Sequence, residues 1–514
     1  MTPEEFSRVL LLSSGVLLLA VLAVKLSART GLPSLLLYLG LGLVLGEDGF
    51  GIPFADAELA QVLGYAALVL ILAEGGLTTR FSTVRPVFAP AAVLATLGTA
   101  ISIGVVGVGA HWLLGTDWPV SLLLGAAVSS TDAAAVFSVL RSVPLPRRLS
   151  GLLEAESGLN DAPVVIAVVA LTQVATGQNE HAWWFFVGEA VFELAVGTAA
   201  GLAVGFAGAW VLRRSALPSS GLYPVAVLAL AVGAYAVADV AHASGFLATY
   251  LCGLVLGNAR LPHRQSTRGF AEAFGWLAQI GLFVMLGLLA DPSRLAGALG
   301  PALLVGLVLT LFARPASVVL SLSWFGRGRG RDPAANAVRP ADLVFLSWAG
   351  LRGAVPVVLT TVPVVAGVPG AERLFDVVLV LVVVFTLVQA PTLSPLARVL
   401  GLQSAAPTQE LDVEVSPLGT LSADVVRVRV GPTSRLHGVE VFELRLPRSA
   451  NVTLVARDGA TFVPQPRTAL RRGDDVLVVT AAAERSRVEE RLQAISRYGK
   501  LAGWHDPRNE PDSR

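Results

Sequence analysis

Between Val9 and about Leu400 the chain runs through a succession of apolar stretches of about 17 to 27 residues, each long enough to cross a hydrocarbon core about 30 Å thick as a helix. Backbone in lipid must satisfy its own hydrogen bonds, which leaves only helices and closed barrels, and runs this long and continuously apolar select helices. Composition agrees, with 54% hydrophobic and 15% charged residues, against roughly 25% charged in soluble chains. The expected spans are 9 to 27, 32 to 46, 57 to 76, 87 to 113, 119 to 140, 150 to 176, 185 to 212, 222 to 240, 243 to 258, 270 to 290, 297 to 325, 341 to 366 and 373 to 397. Past Leu400 the chain becomes charged and alternates in polarity. We therefore expect a membrane domain at 1–403, a linker at 404–417, a cytoplasmic domain at 418–498 and a disordered tail at 499–514. The fold class expected is an all-α polytopic membrane domain of about thirteen helices plus a small α+β domain. A net charge of +1 gives no reason to expect a nucleic-acid partner, and a single cysteine, Cys252, excludes an intrachain disulfide. The first apolar run follows Glu4 and Glu5, with no basic stretch before it and no small-residue cleavage site, so it reads as a retained span.

Basic residues set the orientation. Lys25 and Arg29, Arg80 and Arg85, Arg141, Arg147 and Arg148, Arg213 and Arg214, Arg260, Arg264 and Arg268, and Arg327, Arg329, Arg331 and Arg339 all fall in alternate loops. The opposite loops carry Arg294 and Arg373, and Arg8 precedes the first span. By the positive-inside rule the amino terminus is expected outside and the carboxy-terminal domain in the cytoplasm of a cell (inner) membrane protein. That topology needs an odd number of spans.

Ionisable side chains inside a bilayer are costly and mark functional sites by default. Asp161, in "ESGLNDAPVV", lies about 16 Å into its span from the cytoplasmic side, and Asp132, in "VSSTDAAAVF", about 20 Å into its span from outside. The two carboxylates thus share one depth. Ser157 and Asp161 are spaced i, i+4, as are Glu156 and Asn160, so this helix presents two adjacent polar faces. In "WAGLRGAVPVVL" Arg352 sits at similar depth between Gly350, Gly353 and Pro356, the pattern of a broken helix with free backbone groups at mid-membrane; Ser129 to Asp132 reads the same way. Hydroxyls beside carboxylates offer hard oxygen ligands suited to a small cation. Glu74, in "LILAEGGL", adds a carboxylate nearer the cytoplasmic end of the third span. Arg314 also lies within a span and reads as structural, with no specific partner. Histidines are few and scattered, without zinc-site spacing, and "GRGRGR" at 326–331 is a basic loop without the strand and helix that a phosphate loop needs.

Across essentially the whole membrane domain, "TDAAAV", "ESGLNDAPVV" and "GLRGAV" resemble the NhaP-type monovalent cation/proton antiporters. The resemblance implies an inverted repeat with broken crossing helices, usually as a homodimer. It implies that Asp161 binds the ion and proton, with Ser157, Asp132 and the Thr131 backbone as further ligands. Asn160 would support the site beside Asp161, and Glu74 would assist from a cytoplasmic funnel. Glu156 would pair with Arg352 to fix the core helices. Many relatives place proline directly after the Asn-Asp pair, whereas Ala162 intervenes here before Pro163. Asparagine at 160, in place of a second acid, implies electroneutral exchange. A buried carboxylate that holds either a proton or a cation, and is disfavoured when empty and charged, needs nothing more to couple the two fluxes.

In the last hundred residues "ADVVRVRV", "NVTLVARDG" and "DDVLVVTA" alternate with strand period and "AERSRVEERLQAI" with helical period. The stretch from "GPTSRLHGVEVF" to "RRGDDVLVV" resembles the RCK-C (TrkA-C) regulatory domain. Such domains dimerise, and in some relatives bind a small nucleotide; no Gly-rich dinucleotide fingerprint precedes this one. An antiporter with this domain resembles the potassium/proton branch, with sodium also accepted. The expected partners are therefore the monovalent cation, protons, membrane lipid, a second copy and a regulatory nucleotide, with no resident cofactor and no enzymatic activity. The competing readings are a sodium/proton antiporter and an RCK-gated potassium channel, the latter disfavoured by the lack of a TVGYG-type carbonyl filter. A membrane sensor that transports nothing would leave the intramembrane acids without a purpose.

Overall fold

The computed structural model describes all residues except 1, 31–32, 48, 133–144, 178–182, 216, 260, 324, 326–338, 403–410, 418–422, 432–433, 482–483 and 501–514. Arg141, Arg260, Arg327, Arg329, Arg331, the alanines and valine of "TDAAAV" and the tail from 501 lie outside the described residues. The chain divides into two compact units, Met1–Gln403 and Ser404–Arg514.

In the first unit the helices are α1 Pro3–Thr30, α2 Ser34–Leu45, α3 Ala57–Thr78, α4 Phe81–Leu114, α5 Trp118–Ala127, α6 Arg147–Ala175, α7 Trp183–Arg214, α8 Leu222–Val240, α9 Gly245–Asn258, α10 Arg264–Leu289, α11 Pro292–Leu322, α12 Pro340–Trp348, α13 Ala354–Val365 and α14 Ala371–Val399. Among the described residues nine helices are long and apolar enough to cross a membrane, and four more apolar helices are shorter, namely α2, α5, α9 and α13. Counting α12 with α13 as one interrupted crossing, these fall one for one within the spans expected from hydropathy, with residues 133–140 of the span 119 to 140 outside the described residues. Large side chains such as Leu18, Trp184, Phe206 and Phe312 stay exposed on the outer surface, as a lipid-facing surface requires.

Lipid supplies no hydrophobic drive between helices, so close packing relies on small residues. At the α3–α9 contact Gly76 and Gly253 face each other, and a Cβ on either would meet the backbone of the other helix. Two long helices carry a π-turn, Leu94–Gly98 in α4 and Leu309–Ala313 in α11, each inserting one extra residue into the helical ladder. Arg314 follows the second of these directly.

Two breaks place the site. α5 stops at Ala127 and continues as the non-helical peptide Ser129–Asp132, while α12 stops at Trp348 and α13 begins only at Ala354. The two non-helical peptides meet and are tied by a backbone hydrogen bond from Asp132 N to Leu351 O of 2.9 Å.

The second unit is a five-stranded antiparallel sheet in the order β1-β2-β5-β3-β4, formed by β1 Leu411–Pro417, β2 Ala423–Val430, β3 Ala450–Arg457, β4 Ala460–Phe462 and β5 Asp475–Ala481. Alternate residues Val426, Val428, Val430 and Val476, Val478 are buried, and helix α15, Arg485–Tyr498, covers that face with Val488, Leu492 and Ile495 at i, i+4, i+7 spacing. One boundary needs correction: the stretch 404–417, read as a linker, ends in β1, whose residues pair with β2 from Leu411↔Val430 to Pro417↔Asp424. Its alternation is real, but Pro417 and the polar residues before it read as a connection.

Candidate functional site

The two peptides are held by opposite charges at opposite helix ends. Just past the end of α5, Arg352 Nη1 donates to the carbonyls of Ser129 and Ser130, at 2.9 and 2.6 Å. A cation at a helix C-terminus also offsets the negative end of its dipole. Where α13 begins, Gly353 is the N-cap and the Asp132 carboxylate lies against it; a Cβ at 353 would collide with Asp132 Oδ2. A carboxylate at a helix N-terminus is favoured by the same dipole. Arg352 is further fixed through its own carbonyl, which accepts from Thr386 Oγ1 at 3.2 Å.

Helix α6 packs its polar residues onto this junction. Ser130 Oγ donates to Asp161 Oδ1 at 2.6 Å, Ser157 Oγ to Thr131 O at 2.6 Å, and Asn160 Nδ2 to Thr131 Oγ1 at 2.6 Å. Pro163 lies inside α6, one turn or less from Asp161, and the helix continues through it to Ala175. Ser157, Asp161, Thr131 and Asp132 line one cavity of about 480 Å³, together with Glu74 from α3. Its remaining acidic groups are Glu154 on α6 and Glu272 on α10, and the Tyr250 ring lies against Gly158 on its wall. Asn160, although adjacent in sequence, does not line the cavity; it is 1% exposed and grips Thr131 from behind.

The expected Glu156–Arg352 pair is not what forms. Glu156 pairs with Arg314 of α11: Nη2 donates to Oε2 at 2.8 Å, Nη1 donates to Oε1, and Nε reaches Leu346 O at 3.3 Å. The reason is backbone demand. Arg352 is committed to the carbonyls just past the end of α5, so the arginine placed by the α11 π-turn is the one that meets Glu156. Both members are buried, at 2% and 4% exposure, and the fork geometry satisfies both carboxylate oxygens. Gly350 makes room, since a Cβ there would crowd Arg314 Nε at 2.7 Å.

Sequence reasoning missed Ser130, Glu154, Glu272 and the role of Arg314. Glu154, Ser157 and Asp161 lie at i, i+3, i+7 on one face of α6, a signal that was available. Glu272 sits in a charged stretch beyond Arg268 and carries no such signature. Among the described residues no group of three or more His, Cys, Asp or Glu is arranged to hold a metal ion. The donors facing the cavity are carboxylate and hydroxyl oxygens, suited to a hard monovalent cation passing through as cargo.

A membrane helix bundle in which the end of one helix meets the interruption of another beside a buried carboxylate cavity fits the class of secondary cation/proton antiporters. Residues 15–399 match the family described as sodium/hydrogen exchanger, transmembrane, and residues 425–493 match the TrkA-C domain. The chain belongs to the sodium/hydrogen exchanger family. It is 36% identical over 491 residues to the K(+)/H(+) antiporter NhaP of Alkalimonas amylolytica, covering 94% of this chain and 82% of that protein. To the K(+)/H(+) antiporter NhaP2 of Shewanella baltica it is 35% identical, covering 94% and 81%. The fold is similar to that of the sodium proton antiporter MjNhaP1 from Methanocaldococcus jannaschii, with a TM-score of 0.65 at 22% identity over 78% of this chain and 100% of that one.

Proposed function

We propose that the chain exchanges potassium for protons across the cell (inner) membrane, one charge for one, by alternating access, and accepts sodium as well. Potassium is favoured because relatives about one-third identical over nearly the whole chain carry that name and because a TrkA-C domain follows the membrane unit. The observation that carries the mechanism is Asp161 on the cavity wall, held by Ser130 and flanked by Ser157, Thr131 and Asp132. A proton and a cation compete for this carboxylate. With either bound, the site is neutral and free to change faces; empty, it is an uncompensated charge in low dielectric and stays put.

The cavity wall is built from the end of α3 before Arg80, the first half of α6 after Arg147 and Arg148, and the first half of α10 after Arg264 and Arg268. All three adjoin basic loops, which supports an inward-facing arrangement with the amino terminus outside and the TrkA-C domain in the cytoplasm. Glu74, Glu154 and Glu272 then form the cytoplasmic approach, raising the local cation concentration. A homodimer and a small-nucleotide ligand on the TrkA-C domain complete the reading.

Proton flux in proteoliposomes, with potassium, sodium and lithium compared and the membrane potential clamped, tests it. Asp161→Asn is expected to abolish exchange while the protein remains monodisperse. Undiminished exchange by that variant would refute the assignment, and flux that changes with potential would refute electroneutrality.

A further inference from the structure

A second cavity, of about 610 Å³, lies between α4, α6, α7 and α9, away from the acidic site. Its size falls in the range of about 300–1,000 Å³ found for ligand sites. The wall is apolar, with Phe88, Leu159, Leu202, Phe206 and Leu254 among its residues, and Phe206 is exposed at the outer surface. Nearly every polar side chain in it is already used. Thr96 Oγ1 and Thr198 Oγ1 donate to Ala92 O and Leu194 O within their own helices. Asn258 donates to Thr79 O and Leu254 O, and its Oδ1 accepts from Phe81 N. The exception is Arg213, whose guanidinium makes no ion pair or hydrogen bond among the described residues.

Arg213 also marks a level in the membrane. Its neighbour Arg214 lies over the Trp210 ring at 4.4 Å, and both arginines end α7. Tryptophan and arginine together at the end of a spanning helix are characteristic of the headgroup region. An apolar groove open to the hydrocarbon, closed at headgroup depth by one unpaired cation, is complementary to an amphiphile with an apolar tail and a negative head. We propose that this groove binds the acyl chain of an anionic phospholipid from the leaflet on the basic-loop side, with its phosphate on Arg213. The tail would lie against Leu159, one residue from Asn160 and two from Asp161, so the lipid and the cation site share one turn of α6.

The test uses full-length, delipidated protein titrated in detergent with dioleoyl phosphatidylglycerol and, in parallel, dioleoyl phosphatidylcholine, with bound lipid counted by native mass spectrometry. The wild type is expected to prefer phosphatidylglycerol. Arg213→Gln should cut that preference about fivefold while leaving phosphatidylcholine binding in place, since one arginine near the surface is worth about that factor toward an anionic headgroup. Leu254→Trp, which fills the groove, should lower binding of both lipids, and Thr198→Phe from the opposite wall repeats the test should the first variant melt early. Equal binding of the two lipids by the wild type, an unchanged preference in Arg213→Gln, or undiminished binding by a well-folded groove-filling variant would each overturn the proposal. So would disulfide cross-linking of groove positions between two copies in lipid-free protein, which would make the groove a protein interface.

Discussion

Removing one member of the Glu156–Arg314 pair leaves the other charge buried with no partner in the membrane interior. Three donors of Arg314 are engaged, two on Glu156 and one on Leu346 O, and the two side chains are 3% and 5% exposed. Breaking such a pair from one side costs about 3–5 kcal/mol, far more than the pair contributes relative to a well-packed apolar substitute. Glu156→Gln and Arg314→Gln should therefore each lower the unfolding free energy by about that amount. The double variant should recover part of the loss, giving a coupling energy of about 2–3 kcal/mol. A parallel cycle with Glu156→Gln and Arg352→Gln should give a coupling below about 1 kcal/mol, because Arg352 serves the Ser129 and Ser130 carbonyls instead. Unfolding followed by intrinsic fluorescence during SDS titration in mixed micelles measures all five variants and the parent. A larger coupling for Glu156 with Arg352 than with Arg314 would refute the pairing and the account of the α5 break built on it.

Gly353→Ala should drive a Cβ into the Asp132 carboxylate and slow exchange on the order of 100-fold, as misplacing a reactive group by about 1 Å does, with little change in detergent stability; proton flux in proteoliposomes checks this. Glu272→Gln should raise the apparent KM for cation several-fold at low ionic strength and much less at high salt, since a charge on the cavity approach acts through a screened field. In the TrkA-C domain Asp474 is fully buried and accepts from Arg457 Nε and Nη2 at 2.8 and 2.7 Å and from Arg471 N at 2.7 Å. Asp474→Asn in the full chain should destabilise that domain by about 3 kcal/mol, read as faster proteolysis within residues 423–498, while transport by the membrane unit persists.

The membrane crossings were legible because hydropathy alone fixes them, and the shared depth of Asp132 and Asp161 followed from counting helical rise. Both lie on one cavity wall. The partner of Glu156 was not legible. Arg314 and Arg352 are both intramembrane, and the choice between them depends on which arginine the carbonyls at Ser129 and Ser130 claim, a backbone demand with no sequence signature. Asn160, expected beside Asp161 in support of the site, reaches it through Thr131. Adjacency to Asp161 placed it at the right height but on the neighbouring helix face, where it clamps Thr131 from outside the cavity. At β1 the alternation of "LDVEVSP" was in plain view and lost to the turn signals around it.

The π-turn at Leu309–Ala313 makes chain length at that point as binding a constraint as residue identity. Deleting one residue there would be absorbed as regular α-helix, but deleting a second, with no π-turn left to take it up, would rotate the flanking halves of α11 by about 100° relative to each other. The guanidinium of Arg314 would swing off Glu156 without any change in amino-acid type. A two-codon deletion would therefore silence this transporter while a composition-based comparison scored the two chains as nearly equivalent.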